Sequence, residues 1–262
     1  MKQTDKKEFL ERARAAIRDG VSGSSEAVAR VNAMLPDMHL LADSSDADFQ
    51  DLVGAVALEF QKDYEKAYQY LSRAAQHGSA SAQRGLGYML AEGIGAEKNA
   101  EEAAKYFRLA AEGGDAAAKF NLAGMYLRGD GVPESEEEGL RLLEEASAGG
   151  VTAASNQLAD LKAGLKDYAG AREILERIVP EGKSSARAAK NLAIMCYYGH
   201  GGEIDKTTAL GSCMKMLELG DGDGMHYGHS IASEMTTRQV HEAAAWAKTD
   251  DWVDVFIKYA RD

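Results

Sequence analysis

Five glycines recur along the chain at Gly78, Gly114, Gly150, Gly182 and Gly220, spaced 36, 36, 32 and 38 residues apart. A near-fixed period in this range is the mark of stacked helical repeats, in which each unit buries its apolar face on its neighbours. More than glycine repeats. Seven and eight residues before each closing glycine stand Tyr70-Leu71, Tyr106-Phe107, Leu142-Leu143, Ile174-Leu175 and Ser212-Cys213. Three and four before it stand Ala74-Ala75, Ala110-Ala111, Ala146-Ser147, Ile178-Val179 and Met216-Leu217. A small residue lies eleven before it: Ala67, Ala103, Gly139, Ala171 or Ala209. These offsets fall on one face of a helix, the second of each unit.

A first helix repeats as well. Leu86, Leu122 and Leu192 correspond, as do Leu90, Tyr126 and Cys196, with Gly87, Ala123 and Ala193 in a small slot beside the leucine. A glycine inside a helix costs about 1 kcal/mol relative to alanine. Gly85 and Gly87 therefore predict a place where two backbones approach closely. Asn99 with Glu102, and Ser135 with Glu138, have capping-box spacing ahead of second helices. Asp63 and Asp167 cap that helix in the shorter units, and Asp115 and Ser184 mark where first helices begin. The closing glycines suit the left-handed position that ends a helix, and Pro180 blocks continuation past Val179. Gly93-Ile94-Gly95, Gly129-Asp130-Gly131 and Gly199-His200-Gly201 share one slot between the two helices of a unit. Threefold use makes this triplet part of the architecture rather than a single ligand loop.

These residues resemble the Sel-one-like repeat (SLR), a branch of the tetratricopeptide group. Ala118, Leu122, Tyr126, Gly129, Gly131 and Val132 match one unit of that family. Ala103, Tyr106, Phe107, Ala110, Ala111 and Gly114 match the second half of another, and Gly199, Gly201, Asp205 and Ala209 a third. The resemblance covers roughly residues 45–235. It implies an all-α fold, a right-handed α-solenoid of about five to six stacked helix-turn-helix repeats with N- and C-terminal capping helices. Units opening near Asp48 and Val151 lack the Gly-x-Gly insert, and their turns, "FQKDYEKA" and "LKDYAGA", look like ordinary tetratricopeptide turns. After Gly220 the pattern blurs, and "MHYGHSIASE" resembles a degraded first helix. Such repeats hold other proteins, often in bacterial regulation, signalling, secretion or host interaction, so the resemblance implies an adaptor or scaffold without enzymatic activity. Cysteine-rich members that handle β-lactams carry paired cysteines in each repeat; this chain has only Cys196 and Cys213.

Residues 1–44 and 236–262 lie outside the repeats. Lys6–Arg18 and Ser25–Leu35 read as two helices joined by "DGVSGSS", with Phe9, Leu10, Ala13, Ala16 and Ile17 on one face. The C-terminal piece holds Trp246, Trp252, Phe256 and Tyr259. Each end has two readings, a cap over the last open apolar face or an arm that engages a partner.

The net charge of −12 sits wholly outside residues 1–20, which hold six Lys/Arg against four Asp/Glu. An acidic body repels nucleic acid and anionic membranes and suits a basic protein partner. The opening lacks the apolar core of a signal peptide, and no apolar run approaches a membrane span. With two cysteines only, the chain reads as a reduced, cytoplasmic protein.

Motifs of chemistry are weak throughout. "EGKSS" at Glu181–Ser185 looks like the end of a phosphate loop, but Arg177 stands where that loop needs glycine. His226 and His229, with His200 in an earlier loop, invite a zinc reading, yet no cysteine or carboxylate stands at ligand spacing. His241 lacks the second histidine of a zincin. Cys196 and Cys213 align with core slots and read as buried, inert thiols. "ESEEEG" at Glu134–Gly139 reads as a carboxylate-rich helix start rather than a calcium site. No cofactor, metal or obligate small molecule is expected.

First helices usually line the concave face of stacked helix pairs. With the core slots removed, the remaining first-helix positions are Arg84, Tyr88, Met89, Phe120, Met125, Lys190, Ile194 and Met195. Met, aromatics and Arg make a protein-binding surface, although some of these positions also serve packing between repeats. Two other functions fit the composition. One is a cytoplasmic immunity protein or inhibitor whose acidic surface matches a basic toxin; the other is an enzyme using the Cys and His residues.

Overall fold

The computed structural model describes residues 3–21, 23–42 and 46–261. The boundary expected near residue 44, Ser22 inside "DGVSGSS", and Met1, Lys2 and Asp262 lie outside the described residues. The described residues hold fifteen α-helices and no strand. The chain divides into two compact units, Met1–Leu142 and Leu143–Asp262.

The first unit opens with α1 (Gln3–Val21) and α2 (Ser25–Ala42). Leu10, Ala13 and Ala16 of α1 are buried with Val31, Met38 and Ala42 of α2 and Phe49, Leu52, Val53 and Val56 of the next helix, with Phe9 and Ile17 packed against them. The apolar face read from α1 is thus the one it buries. Helix α2 runs seven residues beyond Leu35, straight through Pro36. A proline inside a helix removes one backbone hydrogen bond. Burial of Met38 and Ala42 on the far side offsets that loss. The basic start of the chain is tied down: Lys6 Nζ lies 2.7 Å from Asp46 and Arg14 lies 2.9 Å from Asp48.

Regular helix pairs follow. Helix α3 (Ala47–Val56) continues as a π-helical turn, Ala57–Gln61, before α4 (Tyr64–Gln76). Then come α5 (Ala80–Glu92) with α6 (Ala100–Glu112), and α7 (Ala116–Arg128) with α8 (Glu136–Ala148), within which the division falls. The second unit contains α9 (Thr152–Gly164) and α10 (Tyr168–Ile178), then α11 (Ala186–Tyr198) and α12 (Lys206–Glu218). It ends with α13 (Asp223–Ala232), α14 (Thr237–Ala247) and α15 (Val253–Ile257). The core slots are filled as their spacing predicts. Leu71, Phe107, Leu143, Leu175 and Cys213 are buried on second helices, and Leu86, Leu122 and Leu192 on first helices.

Caps set the boundaries. Side chains of Asp63, Asn99, Asp115, Ser135, Asp167 and Asp205 each accept from the backbone N–H three residues on. For α11 the cap is Ser185, which accepts from the Ala188 N–H at 3.1 Å, not Ser184. The Ser185 N–H itself donates to Asn156 Oδ1 at 3.1 Å, which holds that residue in the capping position. Neither Asn99–Glu102 nor Ser135–Glu138 closes a full capping box. Glu138 turns instead to Arg141, at 2.8 Å. The reciprocal box is found at Thr236 and Gln239.

The three Gly-x-Gly loops are built alike. The middle residue, Ile94, Asp130 or His200, donates its N–H to the carbonyl of Met89, Met125 or Met195 at 2.8–3.0 Å. The residue before the second helix, Asn99, Ser135 or Asp205, donates to Leu90, Tyr126 or Cys196 at 2.8–2.9 Å. In the units without the insert, Lys62 and Lys166 take the left-handed position at φ 55° and 64°. The close backbone approach expected at Gly85 and Gly87 is not found: the nearest neighbours of an added Cβ there are side-chain atoms. The two glycines make room for the side chains of Leu71 and Phe107.

Candidate functional site

The eight first-helix positions divide into two groups. Met89, Met125 and Met195 are 0%, 4% and 6% exposed and belong to the core. Each lies three residues after a core leucine, Leu86, Leu122 or Leu192, and residues at i and i+3 share a helix face. They cannot line an accessible surface, and their spacing already carried that signal. The others reach solvent: Tyr88 is 44% exposed, and Arg84, Phe120, Lys190 and Ile194 are half-buried.

Two of the reachable positions are engaged by the next first helix. Arg84 Nε lies 2.9 Å from Asp115 Oδ2, while Asp115 Oδ1 caps α7. Lys190 Nζ lies 2.7 Å from Asp223 Oδ2 at the start of α13. Asn191 likewise donates to Asp160 of α9 at 3.0 Å, and Ser81 donates to Asp51 of α3. A polar contact thus recurs at about one repeat of separation. It fixes one first helix against the next and leaves part of each side chain on the surface.

In the second unit, α11 and α13 part to leave a cleft of about 220 Å³ lined by Ala193, Ile194, Tyr197, Tyr198, His226, Tyr227, Ser230 and Ile231. Its floor is apolar and its walls are aromatic. Tyr197 and Tyr198 meet edge to face with centroids 5.0 Å apart, and Tyr198 continues to His200 at 6.0 Å and His200 to Tyr168 at 5.5 Å. Across the cleft, Lys190 Nζ sits 5.3 Å from the Tyr227 ring centre. The Tyr197 hydroxyl donates to Glu234 at 2.7 Å, and Lys206 pairs with the same carboxylate at 2.8 Å. The Lys206 ammonium beside Glu234, helped by Tyr197, holds its carboxyl below the usual range. Lys190 does the same to Asp223. Of the residues singled out in sequence, this cleft gathers Ile194 and His226, with Lys190 at its edge. The tyrosines were missed, although Tyr197 and Tyr198 follow Ile194 by three and four residues and so share its face.

The chemical motifs are dispersed. Cys196 and Cys213 are buried, and burial pushes both thiols up to about 12, so neither supplies thiolate at neutral pH. Among the described residues no three His, Cys, Asp or Glu side chains stand close enough to hold a metal ion. His229 packs under Tyr259 at 3.9 Å and against Phe256, away from His226, which faces the cleft. "EGKSS" follows helix α10, not a strand, and its Ser185 is spent on capping α11. Trp246 fills the space over Gly211 of α12, and Phe256 is buried against Gly228 of α13. Among the described residues no helix is long and apolar enough to cross a membrane.

The comparisons with known proteins agree with this construction. The family model described as Sel1 repeat matches residues 59–79, 80–115, 116–151 and 186–211. A Sel1 repeat protein from Oxalobacter formigenes is 25% identical, with 76% of this chain and 85% of that one covered and a TM-score of 0.63. A protective antigen of uropathogenic Escherichia coli strains, displaying an SLR fold, is 22% identical with a TM-score of 0.64; 94% of this chain and 59% of that one are covered. No match to a curated protein was found. Within those four matched segments the chain carries Sel1 repeats, and its fold is the all-α solenoid of the SLR proteins.

Proposed function

We propose that the chain is a non-enzymatic protein–protein interaction module, an adaptor or scaffold that binds a protein or peptide along its first-helix face. The observation that carries this reading is the aromatic cleft between α11 and α13. Tyr is enriched where interfaces gain most of their affinity, and an apolar floor with a polar rim is interface anatomy. Arg84, Tyr88 and Phe120 are the corresponding contacts proposed for the first unit, and Lys190 and Ile194 for the second. A partner with a basic surface suits the net charge of −12. In this reading residues 45–235 form the repeat array, residues 1–44 and 236–262 cap it, and the setting is cytoplasmic. A narrower version, an inhibitor that neutralises a basic toxin, draws on the same charge. A toxin gene beside this one would favour it.

Site-specific photo-crosslinking in the native cell tests the module. A benzophenone side chain replaces Tyr198 or Tyr88 on first helices, or Leu109 on the outer face of α6. One protein captured from both first-helix positions and absent at 109 is the expected result. Capture at 109 alone, or equal capture everywhere, would overturn the assignment.

A further inference from the structure

We infer that the α11–α13 cleft is an arginine pocket: it takes one arginine side chain from an exposed segment of a partner protein, the guanidinium stacked among Tyr197, Tyr198 and Tyr227 and directed at Glu234. The inference rests on the interaction-module reading and adds the chemistry of what the face recognises.

Size comes first. Small-molecule pockets run from roughly 300 to 1,000 Å³. At about 220 Å³ the cleft lies below that range and suits one large side chain. The lining then selects which one. Ala193, Ile194 and Ile231 form an apolar floor for a methylene stem. Tyr197, Tyr198 and Tyr227 line it with aromatic rings, and a planar, weakly hydrated guanidinium stacks on such rings better than a compact ammonium does. The ring of Tyr227 already accepts a cation, Lys190, at 5.3 Å.

Charge decides between a cation and a neutral side chain. Residues 186–236 hold six Asp/Glu and four Lys/Arg. Each of those four cations is already paired: Arg187 with Asp160, Lys190 with Asp223, Lys206 with Glu234 and Lys215 with Glu218. Within residues 186–236 every positive charge is thus paired, and Glu203, Asp205 and Asp221 keep that segment acidic, while Arg261 lends Glu234 a further positive charge from the C-terminal end. Glu234 accepts one bond on each oxygen, from Tyr197 and from Lys206. A carboxylate offers about four acceptor sites, so two remain for a guanidinium. Ser230 adds a hydroxyl acceptor at the rim.

The test is a fluorescence-anisotropy titration of the full chain at ~0.15 M salt with labelled hexa-arginine, hexa-lysine and hexa-citrulline peptides. Hexa-arginine is expected to bind about tenfold tighter than hexa-lysine, and hexa-citrulline, which keeps the planar group without the charge, weaker than both. Tyr198 is 64% exposed, so Tyr198→Ala leaves the core intact. That variant and Glu234→Gln should each erase most of the preference for arginine, whereas Leu109→Ala should not. Equal binding of the arginine and lysine peptides would reduce the effect to net charge and overturn the proposal. So would no binding of hexa-arginine, citrulline binding as well as arginine, or an unchanged Tyr198→Ala variant. If a partner still crosslinks through position 198 in any of those cases, the interaction face stands and only its arginine chemistry fails.

Discussion

At Gly131 a single methyl group would run into the backbone of Ala100, the first residue of the preceding second helix. Gly201 stands in the same relation to Tyr168, and Gly95 to Tyr64, where an added Cβ would lie 2.7 Å from the Tyr64 Cβ. All three have positive φ, between 68° and 78°. The second glycine of each Gly-x-Gly loop is thus where a loop lies flat against the helix start of the repeat before it. The closing glycines differ. Gly114 also has positive φ, 88°, but nothing lies within 4 Å of an added Cβ. Gly114→Ala therefore meets only the backbone penalty, about 1–2 kcal/mol. Gly131→Ala meets the same penalty and a backbone collision, and should cost about 3–4 kcal/mol. Urea denaturation of the two variants checks the order, and equal losses would show that the loop yields.

Among the helices, the junction of α3 and α5 carries an uncommon element, a buried carboxylate. Asp51 accepts a hydrogen bond from Ser81 and lines a cavity of about 370 Å³ with Leu58, Leu71 and Arg84. Burial raises its pKa above the ordinary 3.8, against the pull of Ser81, Arg14 and Arg84. The folded state therefore binds this proton more tightly than the unfolded one. The stability that Asp51 contributes is fully present below the unfolded pKa and falls as pH rises through the folded pKa. Asp51→Asn keeps an oxygen for Ser81 and removes the charge. It should raise the melting temperature relative to the parent at about pH 7 and change it little at about pH 3.5. A gain of the same size at both pH values would assign the effect to packing. This junction was not legible in the sequence, because Asp51 reads as one more polar residue near a helix start. The helices themselves were legible wherever a slot recurs, since the same offsets place Leu71, Phe107 and Leu175 in the core of three different units. The proposed binding face was legible only in part. Removing the leucine slots left Met89, Met125 and Met195 behind, and only their shared i+3 register reveals them as core. The tyrosines of the α11–α13 cleft do not recur, so no repeat comparison could single them out.

At the scale of the molecule, among the described residues the helices that pack substantially on one another are one or two helices apart along the chain: α1 with α2, α4 with α5, α12 with α13 and α14, α13 with α15. Repeat proteins of this kind hold their stability as a sum of local units and neighbour interfaces. A defect should then stay local, which a single cooperative core would not allow. Phe256 of α15 offers the test inside the second unit. Its ring is fully buried, seated on Gly228 of α13 and beside His229. Phe256→Ala removes about 3 kcal/mol or more of packing. Helix α14 touches both α12 and α15, so the loss should open α13, α14 and α15 together. Native-state hydrogen exchange should report amides in those three helices exchanging on the order of a hundred-fold faster, with α9 and α10 close to their parent rates. Uniform acceleration from α9 to α15 would mean that the second unit unfolds as one block. Acceleration confined to α15 would mean that its contact with α13 does not support the rest.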